Sequence, residues 1–128
     1  MGISKKKAHI RSGTEQKAVD SEQMLQKQLL GDLERRISMN LGSFLVLTEE
    51  GDPTQIALAH QKAKSEFRKF GPEMAKIANV IGGDLPNVVH EYLDSVDILL
   101  HSNLAWLDEE TIARCFDTTQ KLESALRI

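Results

Sequence analysis

Apolar residues recur about once per helical turn along most of this chain. Ala18, Leu25, Leu29, Leu33, Ile37 and Phe44 share one face at 100° per residue, and Leu30 and Leu41 widen it. The run predicts a first helix from about Thr14 to about Leu47, weakened at Gly31 and Gly42 and followed by a turn over Thr48-Glu49-Glu50-Gly51. Asp52-Pro53-Thr54-Gln55 then carries a helix start: Asp52 can cap, Pro53 suits the first position, and Gln55 completes a capping box. The next stripe is Ile56, Ala59, Ala63, Phe67, Phe70, Met74, Ile77 and Ile81. Its phase survives Gly71-Pro72, where a chain reversal would have no reason to preserve it. This predicts one helix, kinked near Gly71-Pro72, over about 53–82. Gly82-Gly83-Asp84 ends it and Pro86 opens a third helix with the stripe Val89, Leu93, Val96, Leu100 and Leu104, flanked by Tyr92 and Leu99. Asp108 caps a fourth, Leu107 and Ile112 can staple its start, and its stripe is Ile112, Cys115, Phe116, Thr119, Leu122 and Leu126.

Four amphipathic segments with short connections pack most simply as an antiparallel up-down four-helix bundle, an all-α fold. Only Phe44-Leu45-Val46-Leu47-Thr48 reads as a strand, and one strand makes no sheet. The length of 128 residues suits one domain and allows a core without metal or disulfide staples. Residues 1–13, polar and broken by Gly2 and Gly13, read as a disordered basic arm ahead of a helical domain over 14–128.

Charge changes the picture at one end. The net charge is −3, but residues 1–17 carry Lys5, Lys6, Lys7, Arg11 and Lys17 against Glu15, a local +4 that leaves −7 for the rest. Lys5, Lys6, Lys7 and Arg11 can bind anions such as phosphates or acidic lipid. They also suit a solubilising tail, and the acidic body would oppose a polyanion, so nucleic acid is not the expected partner. The single cysteine, Cys115, excludes an intramolecular disulfide and fits a core thiol. No apolar run reaches the roughly 18 residues of a membrane span, and the start lacks the apolar stretch of a secretory signal. A cytoplasmic protein is expected.

Two sets of residues could carry chemistry. His60 sits at the edge of the second stripe, with Ala63 and Lys64 one turn on. A nucleophilic imidazole beside a small residue and a cation is what phosphotransfer requires. The segment from Ala59-His60 to Phe70-Gly71 resembles the histidine phosphotransfer domains, which are bundles of about this length. That resemblance implies phosphoryl transfer through His60, aided by Lys64. It departs in placing both the lysine and the glycine one position late. The second set is His90, Asp94, Asp97 and His101, whose offsets put all four on one helix face. Such pairs can share a divalent ion, but this face lies opposite the apolar stripe, whereas bundle metal sites project inward. A solvated face is expected, with no resident metal or other cofactor. No nucleophile elbow, phosphate loop or dinucleotide glycine pattern is present.

The segment from Leu41 to Leu47 points differently. Leu41, Phe44, Leu45, Val46 and Leu47 distribute around the helix rather than to one side, so the outer part needs cover. That cover is either the end of the bundle itself or a protein partner. With no catalytic set to compete, the expected function is a non-catalytic interaction or assembly module, self-associating as a homodimer through these five residues.

Overall fold

A computed structural model describes the backbone of residues 2–102 and 108–127, and the side chains from Ser21 onward within them. Four helices follow in order: α1 Gly2–Glu50, α2 Pro53–Ile81, α3 Leu85–Leu100 and α4 Glu109–Leu126. No strand occurs among the described residues.

The turns follow from local chemistry. Asp52 Oδ1 accepts from the Gln55 amide at 2.8 Å, and the Asp52 amide donates back to Gln55 Oε1 at 3.4 Å, closing the expected capping box. Thr48, Glu49 and Glu50 remain helical, so the expected four-residue turn shrinks to Gly51 and Asp52. Helix α2 runs unbroken through Gly71-Pro72. It ends at Gly82 and Gly83, whose φ values of 79° and 63° suit glycine alone. Asp108 caps α4 by accepting from the Glu110 amide at 3.2 Å. The expected Leu107 staple and the Leu104 end of the third stripe lie outside the described residues.

Contacts pair early residues of each helix with late residues of the next. Phe44 meets His60, with ring centroids 5.0 Å apart, and the Arg36 guanidinium stands over the Phe70 ring at 5.3 Å. His60 bonds the Leu100 carbonyl, and Arg114 pairs with Asp94. A Cβ on Gly31 would lie 3.8 Å from Leu126. The shared core comprises Leu30, Leu33, Ile37, Leu41 and Phe44 of α1; Ala63, Phe70, Met74 and Ala78 of α2; Leu85, Val89, Tyr92, Val96, Leu99 and Leu100 of α3; and Cys115 and Leu122 of α4.

Two expectations of burial need correction, and residues 2–13, expected as a basic arm, carry helical backbone as part of α1. Lys5, Lys6, Lys7, Ala8 and Arg11 are all good helix formers, and no proline interrupts them. Leu25 and Leu29, placed on the buried stripe by phase, are 65% and 50% exposed. Their phase is sound but their neighbours run out: α4 ends opposite Gly31, and the α1–α2 pairing, carried to Ile81, runs out near Met24. Burial therefore starts at Leu30. Phe116, also placed on a buried stripe, is 63% exposed, and Thr118 takes the inward position.

The corrected stripe has a direct test in adjacent residues. Leu30→Ala should cost about 2–5 kcal/mol, as a buried leucine does. Leu29→Ala should change stability by less than about 0.5 kcal/mol in dilute protein. Urea unfolding of the two variants followed by circular dichroism measures both.

Candidate protein-interaction site

The helices form a ring whose seams differ. Helix α1 packs closely along α2, and α3 along α4, but α1 meets α4 at few points. Along this open seam runs an apolar cleft of about 80 Å³, walled by Leu41, Gly42 and Leu45 of α1 and by Ile112, Cys115 and Phe116 of α4. It continues past Val46 and Thr48 to a mouth flanked by Glu49 and Glu109. A Cβ on Gly42 would meet nothing within 4 Å, so the floor there is bare. The inner part suits one or two side chains, and the outer part between Val46 and Glu109 widens to about 440 Å³.

The five residues expected to form an interface divide at this seam. Phe44 belongs to the core and is closed to any partner, which corrects that expectation for it, while Leu41, also in the core, shows only an edge to the cleft. Phe44 turns inward against the His60 ring. Leu45 and Leu47 are half-buried, Leu45 against the core, and only Val46 is well exposed, at 58%. Sequence phase missed the other wall, because it assigned Phe116 to the core. Phe116 stands 100° round the helix from Cys115, and the sequence held no signal that it faces the seam rather than the core.

Behind the cleft lies a polar cluster that the periodicity did not reveal. Glu34 is only 2% exposed, on the α1 stripe between Leu30 and Ile37. The Ser38 hydroxyl donates to Glu34 Oε1 at 3.0 Å, and Tyr92 Oη lies 2.8 Å from Ser38 Oγ. Since the Ser38 proton is used on Glu34, the Tyr92 hydroxyl is the donor to Ser38. Burial pushes the Glu34 carboxyl above its usual range, with the Glu123 carboxylate of α4 adding to it; Ser38 and Arg35 oppose. Burial likewise raises the Tyr92 phenol and the Cys115 thiol. Cys115 is thus a core thiol rather than a nucleophile. Ser95 Oγ links α3 to α4 at 2.7 Å from Thr118 Oγ1. Among the described residues, no buried side-chain polar atom lacks a partner.

The other candidate residues are placed as follows. His60 Nε2 lies 2.6 Å from the Leu100 carbonyl oxygen and so donates to it. With its proton there, Nε2 offers no lone pair to a phosphoryl group unless that bond breaks. Lys64 follows one turn on, half-buried, beside a shallow trough. On α3, Asp94 is paired with Arg114 at 3.2 Å and His101 Nδ1 with Asp97 at 3.1 Å, while His90 is exposed. The four do not converge, and among the described residues no group of three or more His, Cys, Asp or Glu could hold a metal ion. The side chains of Lys5, Lys6, Lys7 and Arg11 lie outside the described set. No described helix is long and apolar enough to cross a membrane. Comparison with protein-family models, curated proteins and solved structures returns no match.

Glu34 sets a pH dependence whose sign follows from its environment. A carboxyl whose folded pKa is raised favours folding while protonated, and that contribution is lost as pH rises through the folded value. Glu34→Gln keeps an acceptor for Ser38 and removes the charge. It should raise Tm more at pH 7.5 than at pH 4.5. Scanning calorimetry of both proteins at the two pH values isolates the difference from all other titrations.

Proposed function

We propose that this protein is a non-catalytic interaction module that assembles with a second copy through the open α1–α4 seam. The observation that carries this reading is the apolar cleft ending between exposed Val46 and exposed Phe116. Covering two such side chains is worth about 1.5–3 kcal/mol each before the costs of ordering and association. The half-buried Leu45 and Ile112 would add to that. An apolar inner cleft of about 80 Å³ that opens at the surface is suited to a protein side chain. At His60 the Nε2 donates to the Leu100 carbonyl, which weighs against phosphotransfer through that atom. A cytoplasmic setting fits a single thiol held in the core.

Light scattering coupled to size exclusion, at tens of micromolar protein, tests the reading. Wild type should elute as a dimer. Phe116→Asp should be monomeric with unchanged helix content, since that side chain stands outside the core. A monomeric wild type, or a Phe116→Asp variant still dimeric, would refute it.

A further inference from the structure

The outer face of α1 beside the seam is complementary to its own reverse. Between Glu34 and Glu50, the residues turned away from the core within a sector of about 100° are Arg35, Met39, Gly42, Val46, Glu49 and Glu50. All are exposed, Met39 at 71% and Val46 at 58%. They are arranged about a centre between Gly42 and Ser43. Met39 and Val46 lie equally far from it on either side, and so do Arg35 and Glu50, with Glu49 one residue nearer. Each half thus carries an apolar side chain next to the centre and a charge beyond it, and the two charges are opposite in sign. A Cβ on Gly42 would meet nothing within 4 Å, so a second helix can approach the backbone closely there.

We propose that in the dimer the α1 helices of the two copies cross antiparallel at Gly42–Ser43, with Met39 of each against Val46 of the other and Arg35 of each against Glu49 and Glu50 of the other. This rests on the reading of the α1–α4 seam as the self-association surface and adds its register and direction. The contact is two-fold symmetric and closed, as the meeting of identical patches requires. Gly42 and Phe116 wall the same cleft, so a crossing at Gly42 also brings the exposed Phe116 side chains of both copies to the joint. One contact then covers Met39, Val46 and Phe116, which the bundle itself leaves in water.

Charge decides between the two possible directions. In a parallel pairing Arg35 would face Arg35, and Glu49 and Glu50 would face their own counterparts. The antiparallel crossing removes both repulsions. It also carries the two acidic mouths, each holding Glu49 and Glu109, to opposite ends of the contact. The two Glu49 positions are then about 20 Å apart along the helices at 1.5 Å per residue, beyond the screening length of about 8 Å at physiological salt. Arg35 already pairs with Asp32 on its own helix, where both are exposed. Such a pair holds it only weakly, and a guanidinium with several donors can serve a second carboxylate.

Charge reversal in the full-length protein tests the register. Arg35→Glu sets an acid against Glu49 and Glu50, and Glu49→Lys with Glu50→Lys sets cations against Arg35. By analytical ultracentrifugation each protein alone should dissociate about tenfold more readily than wild type. Mixed in equal amounts they should recover the dimer, because both contacts of the heterodimer then pair opposite charges. A mixture no tighter than either variant alone would overturn the proposal. A second test leaves the charges near Glu34 untouched. Met39→Cys and Val46→Cys are exposed substitutions, and the native Cys115 is buried. Mixed under mild oxidation, these two proteins should form a disulfide-linked heterodimer. Neither should link to itself, because like positions are offset by about 10 Å along the helices, beyond disulfide reach. Self-linking of either protein as fast as cross-linking of the mixture would refute the register. If Phe116→Asp dissociates wild type but neither the charge rescue nor the mixed disulfide appears, the seam stands and this crossing falls. A wild type that is monomeric at tens of micromolar overturns both, and the face then belongs to a different protein.

Discussion

Each helix here is held by burying one apolar stripe against its neighbours, and α1 carries more stripe than its neighbours can cover. A helix in water gains most of its stability from such packing rather than from propensity. Helices α2, α3 and α4 bury most of their stripes within the chain, with Phe116 of α4 left out. For α1 the condition holds from Leu30 to Phe44 and fails before it. The exposed Met24, Leu25 and Leu29, the open α1–α4 seam and the unaccompanied rod all follow from that mismatch of lengths.

The polar cluster marks the closed end of the α1–α4 seam. Glu34 is almost without solvent there, with the Glu123 carboxylate of α4 near enough to oppose its ionisation. Two carboxyls sharing a site disfavour ionisation, and the bonds from Ser38 and through it Tyr92 compensate only part of the desolvation. Further along the seam the apolar wall of Leu45, Ile112 and Phe116 is left partly uncovered. The ties from α3 are of another kind: Ser95 to Thr118 and Arg114 to Asp94 join it to α4, and His60 joins it to α2. They make α3 the fixed member against which the seam is left open.

Much of this was legible in the sequence, for identifiable reasons. The four stripes gave the helices because a period of 3.6 is imposed by burial and survives even Gly71-Pro72. Asp52 and Gln55 announced their turn because capping is local chemistry, decided within four residues. Periodicity could not tell where burial stops. Leu29 and Leu30 differ by one position, and which of them is covered depends on where α4 ends, a fact of the partner helix. Phe116 failed for the same reason in reverse, being next to a buried residue and facing a seam that did not close. Glu34 was invisible because a carboxylate on an apolar stripe reads as outward-facing unless Ser38 and Tyr92 are known to stand beside it. The seam was half legible: of the apolar residues at 41–47, Leu45, Val46 and Leu47 keep some exposure, but Leu41 and Phe44 are buried in the core.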